Sequence, residues 1–143
     1  MCVCVCLLGT LNTASNQYSL VSGGRINTSS GLGSFVGAGD SNTATSTYSV
    51  VCGGTLNNST SQSSVICAGQ QNNINASTFY GFIGAGQSNT IAASSPQSIH
   101  MCGESLISAS GTAFAQGCLI AGWANSTNTS VTNRVFCVGD GGM

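Results

Sequence analysis

SLVSGGRIN (19–27), SFVGAGDSN (34–42) and SVVCGGTLN (49–57) are one nonapeptide met three times, fifteen residues apart. Working outward, the same unit recurs at 4–12, 64–72, 81–89, 98–106, 117–125 and 134–142. Its sixth position is Gly9, Gly24, Gly39, Gly54, Gly69, Gly86, Gly103, Gly122 and Gly139, at successive spacings of 15, 15, 15, 15, 17, 17, 19 and 17. Its ninth position is Asn12, Asn27, Asn42, Asn57, Asn72, Asn89 and Asn125, interrupted only by Leu106 and Gly142. Self-similarity at a fixed short period is the signature of a stacked repeat architecture. It runs through all 143 residues.

Positions two and three are apolar almost throughout, as in Leu20 and Val21, Phe35 and Val36, Val65 and Ile66. Neighbouring residues of a strand point to opposite faces, so two adjacent apolar columns predict a strand covered on both sides. The glycine at position six predicts a tight positive-φ corner. Asparagine at position nine is expected to tolerate left-handed backbone and to hydrogen-bond along a stack of like residues. A second short strand follows, and its middle residue (Ala14, Ala44, Ile74 or Ile91) is expected to close the core. The predicted fold is all-β: a parallel β-solenoid, or β-roll, of about nine coils forming a single domain over 1–143.

Charge is nearly absent, at 3% of residues and a net charge of −1. Two arginines cannot build the cationic patch that nucleic acid requires. No run reaches the ~18 apolar residues of a membrane span, and the opening MCVCVCLL lacks the basic start of a leader peptide. Arg25, Asp40, Glu104 and Asp140 all fall at position seven, an exposed corner, with Arg134 at position one. Neutrality of this degree has two readings: partner chains cover part of the surface, or neutrality is itself the function. The position-two column then forms an outward stripe of large side chains, which normally marks an interface, and closed cyclic symmetry would cover it without open-ended growth.

These S-x-x-x-[GAC]-G-x-x-N units with their N-[TN]-[AIS] strands resemble the left-handed parallel β-roll heads of trimeric autotransporter adhesins. They are equally similar to head repeats in fibre proteins of phages and large DNA viruses. The resemblance implies a homotrimer, a module of a longer fibre, display on a virion or extracellular surface, and attachment to a host-surface receptor or glycan. The cysteine content and the missing leader favour the viral members. Eight unevenly placed cysteines are expected to be reduced, buried and hydrophobe-like, consistent with assembly in a reducing cytoplasm.

Candidate sites are few. His100, the only histidine, is expected in the position-three column between Ile83 and Leu119, buried; a metal or anion at a threefold axis is the sharper reading. Cys2, Cys4 and Cys6 alternate along one strand, which suits core packing better than tetrahedral zinc. Cys52 and Cys67 share a column one coil apart in a geometry poor for a disulfide. Sequons at Asn27, Asn57, Asn58, Asn75, Asn125 and Asn128 follow from composition alone. No pair of carboxylates and no nucleophile–base pair converges, so neither enzyme nor cofactor chemistry is expected. The longer later coils place insertions at 76–80, 92–97 and 108–116. With Trp123, their Phe79, Tyr80, Pro96 and Phe114 are the candidate contact surface. Outward columns ten and twelve, from Thr13 and Ser15 to Thr43 and Thr45, give an alternative reading as an ice-binding solenoid, with the hydroxyl pattern fading by Thr90 and Ala92.

Overall fold

The computed structural model describes residues 5–76 and 78–92, and beyond them the backbone of the strands Ile99–His100, Ser105–Ala109, Leu119–Ala121, Asn125–Thr129 and Phe136–Val138. The strands Val5–Cys6, Leu20–Val21, Phe35–Val36, Val50–Val51, Val65–Ile66 and Phe82–Ile83 pair in parallel, each with the next coil. A second parallel sheet stacks Thr13–Ala14, Thr28–Ser29, Thr43–Ala44, Asn58–Ser59, Asn73–Ile74 and Thr90–Ile91. Position seven adds a third line of bridges, from Thr10 through Arg25, Asp40, Thr55 and Gln70 to Gln87. The chain is a β-solenoid of about six turns over this span, and both sheets continue in parallel through the later strands.

Alternation along each two-residue strand separates the columns. Position three points inward: Val21, Val36, Val51, Ile66 and Ile83 are fully buried. They meet Ala44, Ile74 and Ile91 of the opposite sheet in one continuous core, with Ala14 packed against it. Each such isoleucine removed from water contributes about 1.5–3 kcal/mol. Where the opposite sheet offers serine instead, the hydroxyl finds a partner: Ser29 Oγ lies 2.6 Å from Ser34 Oγ, and Ser59 Oγ 2.7 Å from Ser64 Oγ. A buried hydroxyl left unpaired would oppose folding, so these pairs let the lumen accept polar rungs.

Both bends of the coil are closed by recurring side chains. At the first, the ninth-position asparagine is buried, and its amide donates twice. In Asn27, Nδ2 donates to the Gly23 carbonyl of its own coil and to the Gly39 carbonyl of the next, both at 2.9 Å. Its Oδ1 accepts the backbone N–H of Asn42 at 3.0 Å. At the return bend, the position-one serine accepts and donates locally: Ser19 Oγ donates to the Asn16 carbonyl at 2.7 Å and accepts the Asn16 N–H at 3.0 Å. Ser49 and Ser46 repeat the arrangement.

The left-handed backbone expected at the asparagines lies elsewhere. Asparagine is needed for its hydrogen bonds, and the positive φ falls at position eight (Leu11, Ile26, Ser41, Leu56, Gln71 and Ser88) and just before position one (Tyr18, Gly33, Tyr48, Ser63 and Tyr80). Stacking enforces it: the Ile26 N–H donates to the Thr10 carbonyl at 3.0 Å, and the Ser41 N–H to the Arg25 carbonyl at 2.9 Å. At φ 57° a β-branched residue is an outlier. Ile26 is also 41% exposed, so its packing offsets little of that strain. Ile26→Asn is therefore expected to stabilise the fold by about 0.5–1 kcal/mol, read as a higher denaturation midpoint. A lower midpoint would show that the side chain's contacts outweigh the strain.

Register in the later coils departs from the glycine-anchored alignment by one residue. Ile99 and His100 pair with Leu119 and Ile120, which in turn pair with Phe136 and Cys137. Counted from the glycines, Cys118 with Leu119, and Val135 with Phe136, are expected in those columns. On the other sheet Leu106 pairs with Thr90, and Ser105 with Asn125. Ser105 therefore holds the asparagine column's place, and Leu106 is a position-ten residue. In sequence, Gly103 and Gly122 each stand one residue nearer a described strand than the glycines of earlier coils do, which is why counting from the glycine misplaces the strands. A one-residue slip exchanges the faces of a strand.

Candidate functional site

Five surfaces of the solenoid carry chemistry of their own. The first is the outward position-two column. Val5, Leu20, Phe35, Val50, Val65 and Phe82 stand in register on one sheet, and each is half-buried by its neighbours above and below. The second is the position-four column beside it, where Cys52 is exposed and Cys67 half-buried, both as free thiols. Cys6, in the first described coil, is free and exposed as well. There, with Leu7, Leu8, Gly9, Leu11 and Asn12, it lines a shallow hollow. These three described thiols are free, and the burial expected of them is absent: position four faces outward, and Cys6 has no described coil stacked above it. Partial burial, reinforced by Cys67 alongside, pushes the Cys52 thiol above its ordinary value. A thiol so shifted is a weak nucleophile at neutral pH.

The third surface is the position-seven corner. Arg25 and Asp40 pair across adjacent coils at 2.5 Å, as their shared column requires. Ser41 Oγ donates to the other carboxylate oxygen at 2.8 Å. The Ser41 hydroxyl, followed by the Arg25 guanidinium, holds the Asp40 carboxyl below the usual carboxylate range. A lowered folded-state pKa adds stability above the unfolded value, and that contribution is lost as pH falls through the folded one. At so open a corner the contribution is small. Ser41→Ala and Arg25→Gln are each expected to raise the Asp40 titration midpoint, followed by carboxyl NMR. An unchanged midpoint in either variant would remove that partner from the cause of the shift.

The hydroxyl face of the second sheet is regular only over Thr13, Thr28 and Thr43. From there its amides and hydroxyls bond within the protein. Asn58 Nδ2 donates to Asn73 Oδ1 at 3.1 Å, Asn73 Nδ2 to Asn75 Oδ1 at 2.7 Å, and Thr60 Oγ1 to the Ile74 carbonyl at 3.0 Å.

The fifth surface is a column that counting forward from the glycines does not bring into line. Counting back one residue from each position one gives Tyr18, Gly33, Tyr48, Ser63 and Tyr80, all at φ between 54° and 62°. Backbone bonds stack them coil on coil: Gly33 N–H to the Gln17 carbonyl, Tyr48 to Leu32, Ser63 to Thr47 and Tyr80 to Gln62, at 2.8–3.2 Å. Phe79 and Tyr80 are therefore regular corner residues. The two extra residues of that coil precede Thr78, whose carbonyl accepts from Ser61 Oγ of the coil before. The three tyrosines are 62%, 57% and 59% exposed. Phe79, beside the last of them, is exposed too.

Of the other residues singled out from the sequence, Gly9, Gly24, Gly39, Gly54, Gly69 and Gly86 all have positive φ. Asn12, Asn27, Asn42, Asn57, Asn72 and Asn89 carry the bonds of the first bend. Asn125 lies in a strand whose backbone alone is described, as does His100, which pairs with Ile83 and Ile120 rather than Leu119. Gly103, Gly122, Gly139, Pro96, Phe114, Trp123, Cys2 and Cys4 lie outside the described residues. Among the described residues no group of three or more His, Cys, Asp or Glu side chains could hold a metal ion. No protein-family model matches this chain, and no curated protein matches it in sequence.

Proposed function

We propose that the chain is a non-enzymatic structural and adhesive module of a fibre: nine left-handed coils, three copies side by side, displayed on a virion or cell exterior. The observation that carries this reading is the outward column of Leu20, Phe35, Val50, Val65 and Phe82, which runs unbroken along one sheet and is only half-buried within a single chain. A stripe of that length on a surface with 3% charge calls for a second dry environment, because exposed contiguous apolar patches mark association surfaces. Sister chains supply it in the closed arrangement that a rod favours. The repeat's likeness to trimeric adhesin and viral fibre heads supports the same number of chains, with a host-surface receptor or glycan as the target.

Native mass in solution tests the reading. Three times the 14.2 kDa chain mass is expected, and Phe35→Glu, which places a charge in the stripe, is expected to release single chains. A stable monomer of the unsubstituted protein would overturn it.

A further inference from the structure

Tyr18, Tyr48 and Tyr80 occupy every second coil of one column, with Gly33 and Ser63 between them. Two rungs of parallel sheet separate neighbouring tyrosines by about 9.6 Å. The small residues matter to the surface they form. A Cβ on Gly33 would stand 2.8 Å from both Cδ1 and Cε1 of Tyr48, so the ring lies back over Gly33 and depends on its bareness. Each tyrosine also adopts a left-handed backbone, which costs an ordinary L-residue about 1–2 kcal/mol. Coil-to-coil bonds set the same φ at Gly33 and Ser63, so what distinguishes the tyrosines is a large ring left more than half exposed, which contributes little to the fold. Gln17, Thr47 and Gln62, immediately before Tyr18, Tyr48 and Ser63, supply neutral hydrogen-bonding groups along the row. The nearest charges in these coils, Arg25 and Asp40, lie at the position-seven bend, across the coil from it.

We infer that this row binds an extended β-1,4-linked glycan, alternate sugar rings stacking on Tyr18, Tyr48 and Tyr80. In such a chain successive rings are turned over, so the same apolar ring face recurs at every second sugar, on a repeat close to two rungs of a parallel sheet. Tyrosine suits this ligand: its ring offers a flat apolar body, its hydroxyl a polar tip, and few torsions are lost on binding. The uncharged setting matches a neutral ligand. The inference deepens the adhesive reading and rests on it for its biological setting, while the row itself belongs to a single chain.

Titration calorimetry of the full chain with cellohexaose, chitohexaose and maltohexaose is the test. The two β-1,4 ligands differ in their acetamido groups and so tell a glucan source from an aminosugar one. Binding is expected for at least one of them and not for the α-1,4 ligand, whose curved chain lacks the repeat. Tyr48→Ala is expected to lower affinity roughly tenfold, with native mass and unfolding midpoint retained. The paired exchange Tyr48→Ser with Ser63→Tyr keeps three tyrosines at positions of matching backbone (φ 56° and 54°) but breaks the even spacing, and should weaken binding equally.

Maltohexaose binding as tightly, the exchange variant binding unchanged, or neither β-1,4 hexamer binding would overturn the inference. So would Tyr48→Ala altering the native mass, which would place the row at a contact between sister chains. A single-chain particle that binds cellohexaose would sink the trimer and leave this inference standing; a trimer that binds neither ligand would do the reverse.

Discussion

Gly54→Ala is expected to cost more than about 4 kcal/mol of folding free energy, enough to unfold much of a protein of ordinary marginal stability. Two causes act together. Gly54 has φ 96°, outside the small left-handed well, in a region that side chains other than glycine's rarely enter. A Cβ there would stand 2.1 Å from the Gly69 carbonyl oxygen of the next coil and 2.6 Å from Asn57 Nδ2. Both are fixed: the Gly69 oxygen already accepts Thr55 N–H at 3.0 Å and Asn57 Nδ2 at 2.9 Å. Relief would require the coils to part, breaking those bonds.

Gly53→Ala is the matched control. The Cβ at Gly53 meets only the Ala38 carbonyl at 3.5 Å, an ordinary contact, and alanine already fills this position at Ala38, Ala68 and Ala85. A change within about 0.5 kcal/mol is expected there. Chemical denaturation of the two variants decides the matter, and equal losses would mean that the close approach of coils at position six is not what glycine serves.

Asn57→Ala should cost about 3–5 kcal/mol without any steric conflict. Asn57 is fully buried. Its amide nitrogen donates to the Gly53 and Gly69 carbonyls at 3.0 and 2.9 Å. Its oxygen accepts the Asn72 N–H and Asn72 Nδ2, both at 3.0 Å. Alanine leaves the Gly53 carbonyl and the Asn72 N–H facing a dry void, and each buried unpaired group costs about 1–3 kcal/mol. The loss should fall on its own coil and the next, since the Asn57 side chain bonds backward to its own bend and forward to the following one. Faster amide exchange at Asn72 than at Asn42 in the variant would be its local signature. Loss under 1 kcal/mol would mean that water replaces the amide, and that the asparagine column is not a structural tie.

The parts of the fold legible in the sequence are those where one physical requirement admits one residue type. No side chain fits where Gly54 approaches Gly69, so the column is invariant within the chain and announces the period. Only a side chain with two amide donors and one acceptor fills the place of Asn57, so asparagine recurs. The lumen accepts any apolar residue of the right size, and the adjacent Val36 and Phe35 columns declare two faces.

Other features were illegible because the stack, not the residue, imposes them. Leu11, Ile26 and Tyr48 hold left-handed backbone that none of them prefers, because coil-to-coil bonds at the bends fix it. The outward column of Cys52 and Cys67 also contains Leu7, Ser22, Gly37 and Gly84, a mixture in which no single environment shows. The tyrosine column was hidden by the direction of alignment. Counted forward from the glycines, Tyr80 drifts by the two residues added before Thr78; counted back from the next strand, it falls in line with Tyr18 and Tyr48. Register after Ile91 fails for the same reason, because the glycine fixes one corner of a coil and not the residues spent reaching it.

Backbone nuclear Overhauser contacts in solution test the stacking of coils most directly. In-register parallel rungs place Val36 beside Val51 and Ala44 beside Ser59, so contacts between residues fifteen apart should run from Val5 to Ile74, and seventeen apart from Val65 to Ile91. Contacts whose sequence separation changes steadily along each strand, the mark of antiparallel pairing, would contradict it.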